Sequence, residues 1–198
     1  MSADLIDRPR LRASLQRISE RTRADAASAR MRPWVAARLE GDVASVSEFE
    51  QYGTSYAFRS DESTERGGHD SAPSPMRYLL SSIAFCMLGW VAKTWSAADV
   101  AVRELDAEVR TCLDLRGEHL VDGAPAHPLW FVIEVRIDDD ATPEQAVTLL
   151  HEAARRCPTS ALVARAVPVH LVLVQRGWTV LDTRPDDLRN EHREEQTR

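Results

Sequence analysis

The spacing of hydrophobic positions changes from segment to segment and predicts a mixture of helices and strands. Residues 9–30 carry leucine and isoleucine at helical spacing, which predicts a polar helix with a narrow apolar stripe. Strand-like segments follow at 34–39, 43–49 and 55–59, and turn signals with glycine separate them. The polar segment 60–74 is expected to be a loop.

A long apolar helix is predicted to begin at Pro75. Proline is favoured in the first turn of a helix, and Ser74 before it suits the N-cap. Apolar residues then recur at helical spacing around much of the circumference, which indicates a buried helix. They are Met76, Leu79, Leu80, Ile83, Met87, Trp90 and Val91.

In the second half of the chain, the hydrophobic pattern predicts two strands, two helices and a last strand. The longer helix begins at Thr142 with a capping box and a proline, and it stops before Cys157 because Pro158 follows. In chain order the predicted elements are strands at 100–115 and 129–137, this helix, a short helix at 159–164 and a strand at 167–175. The order predicts an α+β domain with helices on one side of a largely antiparallel sheet.

A length of 198 residues fits one domain with additional terminal segments. We expect an N-terminal helical extension over 1–30, an α+β domain over 31–178 and a polar C-terminal tail over 179–198. The formal net charge of −6 argues against a nucleic-acid-binding module, which would need a basic face.

The chain is expected to be soluble and cytoplasmic. Its N-terminus is polar and shows no apolar leader, and the longest apolar stretch, 78–92, is short and interrupted by serine. Three cysteines without a secretory signal fit a reducing compartment, where a disulfide would be transient and catalytic. We therefore expect neither a membrane nor a nucleic acid as partner.

Two cysteines stand in settings that suit thiol chemistry. Cys86 lies in the apolar helical pattern, and Cys157 lies at a helix-ending Cys-Pro step beside Arg155 and Arg156. Neighbouring cations and a helix start lower a thiol pKa, so the pair suits one thiol that reacts and one that resolves. The alternative is that Cys86 is simply a small core residue. Cys112 lies in a strand pattern and is expected to be passive.

Several short motifs occur in one order between about residue 35 and residue 174, and together they resemble the OsmC/Ohr family of thiol-dependent peroxide-detoxifying proteins. The motifs are Ser60-Asp-Glu62 followed by Gly67-Gly68, Ala72-Pro-Ser-Pro75, Leu79-Leu80 leading to Cys86, Leu113-Asp-Leu-Arg-Gly117, and Cys157-Pro-Thr-Ser160 before the last strand.

The resemblance implies an OsmC-like fold, with antiparallel sheets and two central helices, that forms an intertwined homodimer with active sites at the dimer interface. It implies that Cys86 is peroxidatic and Cys157 resolving. Arg59 roughly matches the functional arginine of the family. The family usually places a glutamate nine or ten residues before the first cysteine, where this chain has Arg77 and Met76. Arg59 and Arg77 are the cations expected to favour the Cys86 thiolate.

The predicted function is the reduction of organic hydroperoxides through Cys86 and Cys157, with an external dithiol as reductant. No cofactor is expected, and no metal, because the histidines show no metal-type spacing. One alternative is a non-redox hydrolase or acyl-transfer enzyme with Cys86 as nucleophile. Another is a protein that binds a small apolar molecule in the dimer-interface pocket without turning it over.

Overall fold

The computed structural model describes residues 4–165, 170–175, 178–186 and 189, and its architecture confirms the α+β prediction. All strand pairs in this part of the chain are antiparallel. The contacts within the chain divide the chain into two units, Met1–Val163 and Ala164–Arg198.

In chain order the elements are α1 (Arg8–Ala24), β1 (Ala36–Gly41), β2 (Ala44–Gln51), β3 (Thr54–Ser60), a 3-10 turn (Thr64–Arg66), α2 (Pro75–Ala97), β4 (Val102–Cys112), α3 (Leu115–Glu118), β5 (Trp130–Asp139), α4 (Pro143–Arg156), α5 (Pro158–Ala164), β6 (Val172–Gln175) and β7 (Trp178–Asp182).

The three predicted N-terminal strands form a meander in the order β1-β2-β3. The turn from β2 to β3 consists of Tyr52 and Gly53, whose φ angles of 55° and 73° are those that a two-residue hairpin with the right twist requires. The side chains of β1 and most of those of β3 are exposed, whereas Val46 in β2 is buried. The described part of the chain therefore leaves much of this sheet uncovered.

α2 begins where the sequence predicted, with Ser74 at the N-cap and Pro75 in the first turn. Its buried face repeats every fourth residue and consists of Ile83, Met87, Val91 and Trp95. The expectation of burial around most of the circumference is wrong for the single chain, because Phe85 is 71% exposed. Ser82, Phe85 and Gly89 lie along this other face and are exposed in the described part of the chain.

The core lies around the C-terminal half of α2. Leu149 and Ala153 of α4 pack against it from one side, and Val100 before β4 and Val102 at the start of β4 pack from another. Among the described helices, α2 is the one long and apolar enough to cross a membrane by length and composition, a test that the core helix of a soluble protein also passes.

The second half of the chain follows the predicted order, with one additional helix, α3. β4 and β5 form a long hairpin, and the Thr142 hydroxyl accepts a hydrogen bond from the Gln145 N–H at the start of α4, at 3.3 Å. The unpredicted α3 begins where the Asp114 carboxylate accepts a hydrogen bond from the Arg116 N–H, at 3.0 Å. Gly117 permits the backbone of Pro125 to approach, since a Cβ there would lie 2.0 Å from the Pro125 carbonyl oxygen.

α1 ends at Ala24, whereas the pattern predicted a helix to residue 30. Asp25 adopts an extended backbone, and its carboxylate accepts a hydrogen bond from the Ala27 N–H at 2.9 Å, which competes with continuation of the helix. At the other end, the Asp7 carboxylate caps the helix by accepting from the Arg10 N–H at 3.0 Å.

The C-terminal unit contains the antiparallel hairpin of β6 and β7. Part of the strand predicted at 167–175 lies outside the described residues, and β6 begins at Val172. β7 was not predicted, because its alternating pattern over Trp178–Asp182 is short and runs into the charged tail. Residues 187, 188 and 190–198 of that tail lie outside the described residues.

Candidate functional site

Cys157 lies at the junction of α4 and α5 and is fully buried. Pro158 excludes the helical backbone for the residue before it, so Cys157 has an extended conformation with φ −79° and ψ 111°. Its N–H donates to the Ala154 carbonyl at 3.3 Å, and its own carbonyl accepts from the Ala161 N–H at 3.0 Å. The Cys-Pro step therefore fixes the position of this sulfur between two helices.

Cys86 lies on α2 and is partly buried. It packs against the core cluster that contains Cys157. The structure thus brings together two of the four residues predicted for the site. Cys112, at the end of β4, is in register with Trp130 of β5.

The Cys157 thiol is surrounded by hydrogen-bond donors. Burial acts to raise its pKa, but the polar groups of Ser160 and Thr159 and the Cys86 thiol act to lower it and outweigh burial, so the pKa lies below its ordinary value. The Thr159 Oγ1 lies 3.2 Å from the sulfur. The Ser160 hydroxyl is buried and forms no hydrogen bond with any described residue.

Neither predicted arginine contacts a thiol within the described part of the chain. The Arg59 guanidinium forms an ion pair with Glu40 across the outer face of the meander, and its side chain is 66% exposed. Arg77 is exposed in the first turn of α2, nine residues before Cys86. Nine residues correspond to about 13.5 Å along a helix and to half a revolution around it, so Arg77 points away from Cys86.

The loop before α2 is organised by Asp61, which is buried. One carboxylate oxygen accepts from the Ser71 hydroxyl at 2.7 Å and from the N–H groups of Ser71 and His69 at 3.1 Å each, and the other accepts from the Glu62 N–H at 2.8 Å. These bonds stabilise the ionised carboxyl and hold its pKa well below the ordinary value, with the Ser71 hydroxyl as the largest contributor. Asp61 therefore shapes the chain that enters α2.

Sequence reasoning missed the hydroxyl donors beside Cys157 and the surroundings of Trp90. The Lys93 ammonium lies 4.7 Å from the centre of the Trp90 ring, and the Arg156 guanidinium carbon lies 6.0 Å from it. A usable signal was present for the hydroxyls, since Thr159 and Ser160 directly follow the Cys-Pro step that starts a helix. No group of three histidine, cysteine or acidic side chains able to hold a metal ion occurs in the described ranges.

The chain belongs to the OsmC family, because the family model for OsmC-like proteins matches residues 68–172. This span includes α2, Cys86, the β4–β5 hairpin and Cys157, but neither α1 nor the meander. No curated protein sequence matches the chain.

Solved structures with a similar fold carry names from the same family. An OsmC-like protein from Mycoplasma pneumoniae is 14% identical, with a TM-score of 0.58 over 68% of this chain and 88% of that one. A protein from Psychrobacter arcticus, named for osmotic stress induction and detoxification response, is 17% identical, with a TM-score of 0.52 over 67% and 88% of the two chains. An organic hydroperoxide resistance protein from Legionella pneumophila is 14% identical, with a TM-score of 0.46 over 68% and 91%.

Proposed function

We propose that this protein is a thiol-dependent peroxidase that reduces organic hydroperoxides through Cys86 and Cys157. The observation that carries the proposal is that Cys86 packs against the core cluster that contains Cys157, in a member of the OsmC family. Two thiols held in one packed cluster need little rearrangement of their helices to close a disulfide.

The accessibility of the two thiols supports a division of roles between them. Cys157 is fully buried, whereas Cys86 is partly exposed, so a hydroperoxide meets Cys86 first. The Cys86 thiolate attacks the outer peroxide oxygen, the O–O bond breaks, and the alkoxide leaves as an alcohol after taking up a proton. Cys86 is then a sulfenic acid. The Cys157 thiolate attacks its sulfur, and the hydroxide that leaves takes up a proton from solvent to become water as the disulfide forms. An external dithiol restores both thiols.

The lowered pKa of Cys157 increases the fraction of this thiol that is ionised near neutral pH. The ionised form is the one that attacks the Cys86 sulfenic acid, so the surroundings of Cys157 favour the resolving step.

Arg59 and Arg77 remain the proposed cations of the site. Neither reaches Cys86 within its own chain, since Arg59 pairs with Glu40 and Arg77 points away. In an intertwined homodimer each would approach Cys86 from the partner subunit. The uncovered apolar surface supports such a dimer, because Tyr56 and Phe58 are 41% and 48% exposed. We place the dimer in the reducing cytoplasm, where all three thiols stay free.

The test is mass spectrometry of the reduced protein before and after one equivalent of an organic hydroperoxide, with remaining thiols alkylated. We expect a rapid disulfide between Cys86 and Cys157. The variant Cys157→Ser should accumulate sulfenic acid on Cys86 and lose multiple turnover, and Cys86→Ser should be inactive. Cys112→Ser is the matched control and should behave as the unmodified chain.

Other outcomes would replace the proposal. Two thiols that survive the hydroperoxide untouched would overturn it. If Cys157→Ser were nearly silent and Cys86→Ser abolished hydrolysis of an ester substrate, Cys86 would be a non-redox nucleophile. If neither substitution changed anything except ligand affinity, the protein would bind a small molecule without catalysing a reaction on it.

A further inference from the structure

Trp90 joins the helix that carries Cys86 to the end of the helix that precedes Cys157. It lies four residues after Cys86 on α2, about one helical turn, and it packs against the core cluster that contains Cys157. The Arg156 guanidinium carbon of α4 lies 6.0 Å from the centre of the Trp90 ring. Arg156 directly precedes Cys157 in the chain. The indole ring is therefore one contact away from both thiol-bearing segments.

The Arg156 side chain is also held by its own helix. Its guanidinium forms an ion pair with Glu152, one turn earlier on α4, at 2.5 Å. A cation within about 6 Å of an aromatic ring centre is attracted by the π electrons of the ring, and the attraction is stronger where water is excluded. The last turn of α4 is therefore fastened to α2 at Trp90.

Two contacts within α2 fix the orientation of Trp90. The Lys93 ammonium, one turn further along the helix, lies 4.7 Å from the centre of the indole ring. The Thr94 hydroxyl donates a hydrogen bond to the Trp90 carbonyl. Because these partners belong to the same helix, they hold the ring relative to α2, whereas Arg156 connects the ring to α4.

The separation of two thiols governs how readily they form a disulfide. The Cα atoms of a disulfide usually lie about 4.4–6.8 Å apart, and departures from this geometry store strain. Cys157 follows the last residue of α4 and has an extended backbone. The position of its sulfur relative to Cys86 therefore depends on where the end of α4 lies against α2, and Arg156 is the last residue of that helix.

We propose that Trp90 is a positioning residue for the thiol pair. Through the contact of its ring with Arg156, it holds the end of α4 against α2 at the separation that closure of the disulfide requires. Trp90 takes no part in making or breaking bonds. The positioning role rests on the proposed function for the pairing of Cys86 with Cys157, but it does not depend on a hydroperoxide as the oxidant.

The test replaces the hydroperoxide by glutathione. Oxidised glutathione takes two electrons and two protons from Cys86 and Cys157 and becomes two molecules of reduced glutathione, while the two protein sulfurs join. The full-length protein is equilibrated at a series of glutathione ratios, quenched with acid and alkylated. Mass spectrometry then gives the disulfide fraction at each ratio, and with it an equilibrium constant that is independent of peroxide chemistry.

Loss of the aromatic ring should make the disulfide less stable. Trp90→Leu keeps an apolar side chain but removes the ring, and it should lower the equilibrium constant about tenfold, a rise of about 30 mV in reduction potential. Trp90→Phe should retain most of the constant. Arg156→Met should match Trp90→Leu, and Arg156→Lys should retain most of the constant because the cation is kept. The matched controls are Trp130→Leu and Arg136→Met on β5, which should change nothing.

A double variant separates positioning from two simpler explanations. If Arg156 acted on Cys157 only through its charge, or Trp90 acted only by filling space, the effects of the two substitutions would add. Because the ring acts through Arg156, Trp90→Leu combined with Arg156→Met should lower the constant no further than either change alone.

Additive effects would overturn the positioning role, and so would an unchanged constant in Trp90→Leu that is folded by circular dichroism. If Trp90→Leu failed to fold, equal constants for Arg156→Met and Arg156→Lys would overturn it instead. A chain that forms no disulfide between Cys86 and Cys157 at any glutathione ratio would also do so. Closure with glutathione but not with a hydroperoxide would refute the peroxidase proposal alone, and the predicted order of the variants would then still support the role of Trp90.

Discussion

Cys86 of α2 packs against the core cluster that contains Cys157 at the α4–α5 junction. The cluster therefore joins one partly accessible thiol to one that is completely buried. Because the Thr159 Oγ1 lies 3.2 Å from the buried sulfur, negative charge is stabilised on the side away from solvent.

Removal of the hydroxyl donors should slow disulfide closure at neutral pH. In Thr159→Val and Ser160→Ala the pKa of Cys157 rises toward the ordinary thiol value, so less thiolate is available at pH 7. We expect the rate of hydroperoxide-driven closure to fall roughly three- to tenfold at pH 7. The difference should narrow as the pH rises, since a larger fraction of the thiol is then ionised in every variant.

Stopped-flow measurement of closure between pH 5 and pH 10 gives this profile. Thr148→Val, which removes a hydroxyl on the exposed face of α4, is the control and should leave the midpoint unchanged. A profile identical in all variants would show that these hydroxyls do not stabilise the thiolate.

The Asp61 carboxylate should make the fold sensitive to acid. Its pKa is depressed below the ordinary value of 3.8 by the Ser71 hydroxyl and the surrounding N–H groups. A depressed native pKa contributes stability that is present above pH 3.8 and is lost as the pH falls through the native value. Asp61→Asn should lower the urea midpoint at pH 7 and flatten its decline below pH 4 in equilibrium unfolding. Asp70→Asn in the same loop is the exposed counterpart, and an equal effect of both substitutions would refute the role of Asp61.

The sequence predicts most of the fold because its local signals agree with the tertiary structure. Ser74-Pro75 and Thr142-Pro143 mark the starts of α2 and α4, and Cys157-Pro158 marks the end of α4. Such capping residues act on backbone groups only a few residues away, so the sequence alone is enough to recognise them. α3 was missed because it has only four residues, too few to show a helical period.

The candidate site is only partly visible in the sequence. The types and settings of Cys86 and Cys157 point to thiol chemistry, but their place in one cluster depends on how α4 packs against α2, a tertiary relationship without a local signal. The same limit applies to Arg59, whose ion pair with Glu40 follows from the β1-β2-β3 strand order. Groups that meet across strands or helices are invisible until the fold is known.

Gly68 should tolerate no side chain. A Cβ at this position would lie 2.0 Å from the Glu62 carbonyl oxygen and 2.7 Å from an Asp61 carboxylate oxygen, and the first of these is backbone that cannot move aside. Gly68→Ala should therefore lower the free energy of unfolding by about 1–3 kcal/mol or prevent folding. Gly41→Ala, where a Cβ meets nothing within 4 Å, should change it by less than about 0.5 kcal/mol. Urea denaturation compares the two, and equal stabilities would contradict the predicted clash.

The uncovered face of the meander should be the surface through which two copies associate. Phe58 on β3 is 48% exposed, although its ring contacts Phe49 and Tyr78 at centroid distances of 5.4 and 5.8 Å. An aromatic cluster that stays half exposed in one chain gains stability when a second chain covers it. Phe58→Glu should weaken dimerisation about 100-fold or more, since it places a charge in a desolvated contact. Sedimentation velocity across a concentration series measures this, with Leu120→Glu as the control because that side chain is 90% exposed. A chain that sediments as a monomer without any substitution would refute the homodimer, and with it the supply of Arg59 and Arg77 from a partner subunit.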